Sequence, residues 1–175
     1  MGVIPQLIMR NPDLSRTPAL TLPDGFSVHS HQTGQETVWE DIIESSFGTH
    51  FDFDFLIQAG DYSPEKVLYL SKDGRDIATT TAVENSRYPG EGWFRMVGVR
   101  ADAQGMGAGK LISLAALNAL KDRGYQSAVL STDDHRIPAI RLYLSVGFEP
   151  VYSHESHPER WEKIFSILQN SRFAR

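Results

Sequence analysis

The sequence contains no cysteine among its 175 residues. This absence excludes a disulfide scaffold, a thiolate zinc site, an iron–sulfur cluster and a cysteine nucleophile. Positive charge is also scarce, because 17 Lys and Arg stand against 22 Asp and Glu, giving a net charge of −5. Nucleic-acid binders normally present a basic face to phosphates, so we expect no nucleic-acid partner. No run approaches the roughly 18 apolar residues that span a bilayer, so we expect no membrane partner either.

The remaining composition is that of an ordinary folded domain. Hydrophobic residues make up 41% and charged residues 22%, which excludes a disordered chain. Residues 2–9 are apolar, but Pro5, Gln6 and the lack of a basic leader argue against a signal peptide. Gln6 also stands where an N-myristoylation signal at Gly2 needs Ser or Thr. We therefore predict a cytoplasmic protein.

Hydrophobic periodicity predicts an α/β fold with a mixed sheet. Alternating patterns predict strands, and apolar residues spaced for one helix face, followed by glycine, predict helices. The expected strands are residues 26–31, 67–71, 77–83, 93–99, 128–132 and 148–152, and the expected helices are 36–47, 107–123, 138–146 and one that begins after a capping box at Ser156. Antiparallel strands followed by a β–α–β–α pattern indicate a single domain. We divide it into an N-terminal arm (1–25), a core (26–152) and a C-terminal helix (153–175).

The densest motif is a glycine-rich loop between a strand and a helix, VGVRADAQGMGAGKL at residues 97–111. Gly105, Gly107 and Gly109 leave the backbone bare, so several N–H groups can converge on an anion at the positive end of a helix dipole. The spacing excludes a P-loop, because the residue after Lys110 is neither Ser nor Thr. It also excludes a dinucleotide fingerprint, because Lys110 occupies the third glycine position. The loop is therefore a phosphate cradle or a purely structural turn.

Two motifs together resemble one known family. The pattern Gln104-x-x-Gly107-x-Gly109 resembles the Gln/Arg-x-x-Gly-x-Gly/Ala motif of the GCN5-related N-acetyltransferase (GNAT) superfamily, in which this loop holds the pyrophosphate of acetyl-CoA. About thirty residues later, an Ala-Ile-x-x-Tyr helix that ends in Gly147-Phe148 resembles the second block of the family. The resemblance implies a GNAT-like α+β core with a mostly antiparallel sheet, a splayed central strand pair and flanking helices.

The resemblance also implies the reaction and the residues that hold the donor. It implies an N-acetyltransferase that moves an acetyl group from acetyl-CoA to a small-molecule or peptide amine by direct attack, without a metal. The backbones of Val97 and Val99 are implied to pair with the pantetheine arm, and Gly98 is expected to leave its path clear. The loop residues implied to bind acetyl-CoA are Gln104, Gly105, Met106, Gly107, Ala108, Gly109 and Lys110.

Other readings stay open at this point. A non-catalytic acyl-CoA-binding sensor or partner subunit would keep the same loop, and a nucleotide-binding enzyme is a second alternative. One position departs from the family, since many members have Asn where this sequence has Arg136. A homodimer is one option for the assembly.

The same resemblance places Tyr143 beside the thioester sulfur, as the general acid for the departing thiolate. A phenol with a pKa near 10 is protonated at pH 7, as this role requires. The alternative is a core tyrosine on the helix face of Ile140 and Leu144. The general base is open, because residues 93–99 hold no carboxylate. The candidates are Glu84, Asp133 and Asp134, each of which is otherwise a solvated loop residue.

Two further clusters are ambiguous in the sequence. Aromatic and acidic residues alternate at 50–55, a combination that suits a cationic amine. We favour the alternative that the three aromatic rings cover the core while the acids face water: Phe51, Phe53, Phe55, Asp52 and Asp54. The pair His154 and His157 lacks a third metal ligand at a recognised spacing, so we expect no metal.

Overall fold

The computed structural model of the chain describes residues 4–58, 63–84 and 87–170. Gly2, considered above for N-myristoylation, lies outside the described residues. Residues 1–3 of the predicted arm and residues 171–175 of the predicted C-terminal helix also lie outside the described residues.

A seven-stranded sheet forms the centre of the structure. In chain order its strands are β1 (Leu7–Asn11), β2 (Phe26–Ser30), β3 (Val67–Lys72), β4 (Arg75–Glu84), β5 (Gly92–Val99), β6 (Ala128–Thr132) and β7 (Glu149–Val151). Across the sheet they lie in the order β2-β3-β4-β5-β6-β1-β7. Neighbouring strands are antiparallel except for β5 and β6, which are parallel. The predicted mixed sheet is confirmed, with β2 at one edge as expected.

The described residues include five α-helices that flank this sheet. They are α1 (Glu36–Phe47), α2 (Asp54–Gln58), α3 (Ala108–Asp122), α4 (Ile137–Ser145) and α5 (His157–Asn170). Four of them were predicted. The ends of α1, α3 and α4 agree with the prediction within one residue, and α5 begins at the residue after the predicted capping serine, Ser156. The end of α1 shows why glycine marks such boundaries, because Gly48 adopts a left-handed conformation with φ +70° and donates its N–H to the Glu44 carbonyl. The short α2 was not predicted.

The N-terminal region differs from the predicted arm. Its strand β1 lies inside the sheet, between β6 and β7, and pairs with both. Leu7 and Met9 are fully buried, while Ile8 faces the other side of the sheet. The core therefore includes residues 7–11 as well as the expected 26–152. A strand of only five residues gives a weak local pattern. This strand is defined instead by its pairing with β6 and β7, which lie more than a hundred residues away in the chain.

The parallel pair at the middle of the sheet is short. Strands β5 and β6 pair only through Gly92 with Ala128 and Trp93 with Val129. Beyond these two positions the strands separate, which confirms the splayed central pair. A gap therefore opens between the second half of β5 and the end of β6.

Two hydrophobic clusters cover the two faces of the sheet. Helices α3 and α4 pack with Leu68 and Leu70 on one face, and α1 packs with Val67 and Tyr69 on the other. Gly98 lies under α1, where a Cβ atom would stand 2.9 Å from the Ile43 Cδ1 atom. The bare backbone of Gly98 thus accommodates helix packing, a role that differs from the expected one of clearing a path to the gap.

Candidate active site

A β-bulge bends β5 at the point where the gap begins. Thr81 pairs with Arg95 and Thr79 pairs with Gly98, so β5 contains one more residue than β4 over this stretch. Met96 within the bulge has a φ of +52°, an uncommon conformation for a residue with a side chain. The Thr80 hydroxyl donates to the Arg95 carbonyl at 3.1 Å and so satisfies a backbone group inside the irregular region. A bulge increases the local bend and twist of a strand, which turns β5 away from β6.

The backbone of β5 presents free groups to this gap. The Arg100 amide donates to the Ile77 carbonyl at 2.8 Å, so Arg100 faces β4. Because backbone groups alternate along an antiparallel strand, Gly98 also faces β4 while Val99 and Val97 turn theirs toward the gap. The two valines thus lie along the gap with backbone groups directed into it.

The glycine-rich loop leads from β5 into α3. Gly105 and Gly107 have φ values of +83° and +79°, and Gly107 is the residue that precedes the first turn of α3. Among the described residues, no backbone carbonyl accepts from the amides of residues 105–109. The Lys110 amide is different, because it donates to the Gly107 carbonyl at 3.0 Å. Five amides at a helix N-terminus are therefore available to an anion, and Lys110 contributes only its side chain.

Other loop residues have distinct positions. Gln104, Gly105, Met106 and Gly107 are exposed, whereas Ala108 is buried beneath them. A Cβ atom on Gly109 would lie 3.1 Å from a Leu142 methyl carbon, so this glycine permits the close approach of α3 and α4. Lys110 borders a second cavity of about 350 Å³ whose wall also contains Arg16.

The gap opens into a cavity of about 700 Å³. Its wall combines aromatic, charged and polar residues with the aliphatic side chains of Pro5, Ile8, Met96 and Val97. The aromatic ones are Phe47, Phe51, Phe55, Tyr88, Trp93, Phe94 and Tyr143. The charged ones are Arg87, Arg95, Arg136 and Asp133, and the polar ones include Gln6, Ser131, Thr132, Ser153 and His154.

Tyr143 reaches this cavity from α4. Its ring packs edge-to-face against Phe94 and Phe148, with centroid distances of 5.8 and 6.1 Å. The side chain is 8% exposed, and burial raises the pKa of the phenol to about 12. Among the described residues, the hydroxyl has no hydrogen-bond partner. Tyr143 is thus a core residue that also offers a protonated hydroxyl to the cavity.

The raised pKa of Tyr143 predicts a loss of stability in alkali. Between pH 10 and about 12 the unfolded chain releases a phenolic proton that the folded protein retains, so the free energy of unfolding falls as pH rises. From the two pKa values we expect a fall of roughly 2–3 kcal/mol over this window. Urea unfolding at each pH measures it, and the Tyr143→Phe variant must lose correspondingly less. Equal losses in both proteins would refute the assignment.

The three candidates for the general base lie in different surroundings. Asp133 borders the cavity, where it accepts from the Gln6 amide at 3.0 Å and lies 3.3 Å from the Arg136 guanidinium. Asp134 instead accepts from two atoms of the Arg160 guanidinium group, Nε to Oδ2 at 2.8 Å and Nη2 to Oδ1, and this partner lowers its pKa. Its carboxylate ties α5 to the end of β6 and does not border the cavity.

Glu84 lies at the closed end of the gap. It pairs with Gly92 at the start of β5 and is exposed. Burial, assisted by the negative charge of Glu84, raises the pKa of the Tyr125 phenol. Of the three carboxylates, only Asp133 borders the cavity.

The aromatic segment after α1 is divided between core and cavity. Phe53 is buried and stacks on His31 at a centroid distance of 4.6 Å, as expected for a ring that covers the core. Phe51 packs against the same core cluster and also borders the cavity, so the expectation holds for two of the three rings. It was wrong for Phe55, which borders the cavity and is 40% exposed. Asp52 is exposed and pairs with His50, outside the cavity wall.

The two histidines considered as metal ligands have separate surroundings. His154 borders the cavity, and its Nδ1 atom accepts from the Ser156 amide at 3.2 Å. His157 is fully buried, and its Nδ1 atom lies 3.1 Å from the Val151 carbonyl. Residues 4–58, 63–84 and 87–170 contain no group of three acidic or histidine side chains that could hold a metal ion.

Several residues of the cavity wall were missed in the sequence. Arg87 and Arg95 belong to no motif, and Arg136 was noticed only as a departure from the family pattern. Their shared location depends on how α4, β5 and the β4–β5 connection meet in space. No local sequence signal indicates that meeting.

Comparison with known proteins agrees with this geometry. The model of the acetyltransferase (GNAT) family matches residues 34–148. A mycothiol acetyltransferase of Thermomonospora curvata is 32% identical over 152 residues, which cover 81% of this chain and 50% of the relative. The mycothiol acetyltransferase of Pseudarthrobacter chlorophenolicus is 31% identical, with coverages of 75% and 45%. The chain thus spans about half the length of these curated relatives.

Solved structures show the same fold. A GCN5-related N-acetyltransferase from Sphaerobacter thermophilus has a TM-score of 0.70 at 25% identity and covers 85% of this chain and 50% of its own. Arabidopsis thaliana Naa50, solved with the bisubstrate analogue CoA-Ac-MVNAL, has a TM-score of 0.62 at 15% identity, with coverages of 73% and 85%. This second likeness concerns the fold alone.

In the part of the chain that the structure describes, no helix combines the length and the apolar character needed to cross a membrane.

The family match spans more than half of the chain, including β5, the glycine-rich loop and α4. The chain therefore belongs to the GNAT acetyltransferase family.

Proposed function

We propose that the protein transfers an acetyl group from acetyl-CoA to an amine by direct attack. One observation carries the proposal: the phenol of Tyr143 and the backbone of β5 that does not pair with β6 meet at one gap. A loop with five backbone amides that are unpaired among the described residues leads from β5 into α3, and a cavity of about 700 Å³ opens from the gap. An enzyme that joins two substrates needs both to reach one point in a fixed orientation. A splayed sheet provides that point.

In this proposal the donor lies along β5 and the loop. The amides of residues 105–109 and the Lys110 ammonium hold the pyrophosphate, and the Val97 and Val99 backbones pair with the pantetheine arm. Gln104, Met106 and Ala108 shape the loop around these amides. This local arrangement allows a protein of net charge −5 to bind a small polyanion.

The chemistry is one displacement at the thioester carbonyl. The neutral amine nitrogen forms a bond to the carbonyl carbon, the carbon–sulfur bond then breaks, and the sulfur leaves with its electron pair. The nitrogen releases one proton in this step and the departing sulfur gains one, so the products are a neutral amide and the thiol of coenzyme A. The Tyr143 hydroxyl donates a hydrogen bond to that sulfur, and burial keeps the phenol protonated at neutral pH. Asp133 is our candidate for the group that takes the proton of the ammonium, because it is the carboxylate at the cavity. Glu84 and Asp134 remain alternatives whose positions favour structural roles.

Two measurements test the function. Acetyl-CoA far above its dissociation constant is expected to raise the melting temperature, while ATP and NAD leave it unchanged. Thiol release is then followed over a panel of amines, and every thiol detected comes from coenzyme A, since the chain has no cysteine. Stabilisation without thiol release for any amine would favour the acyl-CoA-binding sensor. Stabilisation by ATP or NAD instead of acetyl-CoA would contradict the donor itself.

A further inference from the structure

The charges at the cavity are opposite to those of the protein as a whole. Three arginines and one aspartate border it, although acidic residues outnumber basic ones in the chain. Arg95 comes from β5, Arg136 from the residue before α4, and Arg87 from the connection between β4 and β5. Guanidinium groups remain charged at every physiological pH. Among the described residues that border the cavity, positive charges therefore outnumber negative ones.

Two of these guanidinium groups lie over aromatic rings of the same wall. The Arg136 guanidinium carbon lies 4.4 Å from the centroid of Phe47, and that of Arg95 lies 5.2 Å from the centroid of Phe55. A cation–π contact holds a guanidinium group in place without neutralising its charge, and the guanidinium fork is the group that matches a carboxylate in geometry. The aromatic rings thus hold two charged groups suited to an oxyanion at the cavity wall.

The same cation–π contacts argue against a purely cationic acceptor. Phe47 and Phe55 already have cation–π partners within the protein. The two acids of the aromatic segment that would attract a cation, Asp52 and Asp54, are exposed and lie outside the cavity wall. A polyamine entering here would meet three arginines and, within the described part of the chain, one carboxylate.

From this charge pattern we propose that the acceptor amine carries an oxyanion, a carboxylate in the first instance, which Arg95 and Arg136 bind. The proposal rests on the proposed acetyl transfer and names its acceptor class. Asp133 lies 3.3 Å from Arg136 and supplies a charge of the opposite sign, so an acceptor with an ammonium beside a carboxylate matches both signs. A cavity of about 700 Å³ accommodates a molecule of amino-acid or dipeptide size.

A substrate panel tests the proposal in the unmodified protein. Thiol release is measured for α-amino acids against their carboxamides, and for O-phosphoethanolamine against ethanolamine. We expect kcat/KM to be at least about tenfold higher for the anionic member of each carboxylate pair. A carboxamide lowers the pKa of the neighbouring ammonium and supplies more free amine at neutral pH, so this bias works against the expected result. A preference for the phosphate pair alone would identify a phosphorylated acceptor and overturn the carboxylate assignment.

Variants then connect the preference to the arginines. Arg95→Gln is expected to raise KM for the carboxylate acceptor at least about tenfold and to abolish the preference over the carboxamide, while Arg95→Lys retains part of it. Lys163→Gln removes one positive charge from α5, at a residue that does not border the cavity, and should leave the preference unchanged. Affinity for acetyl-CoA should be equal in all four proteins.

The outcomes separate the two proposals. Thiol release with equal or better use of carboxamides would overturn the acceptor class and leave acetyl transfer intact. No thiol release with any amine would instead overturn the proposed function. An unfolded Arg95→Gln protein would leave the comparison within the unmodified protein to decide the question.

Discussion

Replacing Tyr143 with Phe is expected to lower kcat by about a hundredfold or more while acetyl-CoA binding changes by less than about twofold. Positioned proton donors typically contribute 10²–10⁴ in rate, and this substitution removes only the hydroxyl oxygen and its proton. The ring remains, with its edge-to-face contacts to Phe94 and Phe148. Stopped-flow or steady-state thiol release gives kcat, and titration calorimetry gives the affinity for acetyl-CoA.

The control for this prediction is Tyr152→Phe, which alters a tyrosine that is 58% exposed and does not border the cavity. It should keep full turnover. The pH profile adds a second test, because a phenol with a pKa of about 12 produces no loss of kcat from its own ionisation below about pH 10. Undiminished turnover in Tyr143→Phe would remove the hydroxyl from the mechanism and leave Tyr143 as a packing residue.

Introducing a carboxylate into the glycine-rich loop is expected to have the second large effect. Gly105→Asp should weaken acetyl-CoA binding about a hundredfold relative to Gly105→Asn. One unit charge about 6 Å from another, at an effective dielectric constant near 20, costs about 3 kcal/mol, and the pyrophosphate carries more than one charge. The site is suited to the test, since no heavy atom lies within 4 Å of a Cβ built on Gly105.

Asn is the matched control for this substitution. Gly105 has a φ of +83°, and Asn and Asp tolerate positive φ values better than other side chains. The two variants therefore share the same backbone cost and differ by one charge. Titration calorimetry at low and high salt measures the affinities, and the difference should shrink as salt screens the repulsion. Equal affinities would show that the pyrophosphate does not lie against this loop.

The glycine-rich loop and α4 are features that the local sequence was enough to predict. Gly105 and Gly107 both adopt positive φ, and α3 begins directly after them, as a glycine-rich turn at a helix start requires. Tyr143 occupies the helix predicted for it. These features depend on residues close together in the chain, so the pattern and spacing of residues were enough to predict them.

Other predictions lacked such a local basis. The role expected for Gly98 was incomplete, because Gly98 also packs against α1, which lies about fifty residues earlier in the chain. The three base candidates looked equivalent until the fold paired Asp134 with Arg160, placed Glu84 at the closed end of the gap and left Asp133 at the cavity. Solvent exposure and ion pairing of a loop carboxylate depend on whichever element packs beside it.

The sequence by itself determined most of the helices and strands, the family and the glycine-rich loop, because periodicity and glycine positions act over a few residues. Only the tertiary structure decided that β1 lies inside the sheet, that a bulge in β5 opens the gap and that three arginines gather around it. Each of these features joins segments from distant parts of the chain. Their positions follow from packing and from long-range strand pairing, which no local pattern encodes.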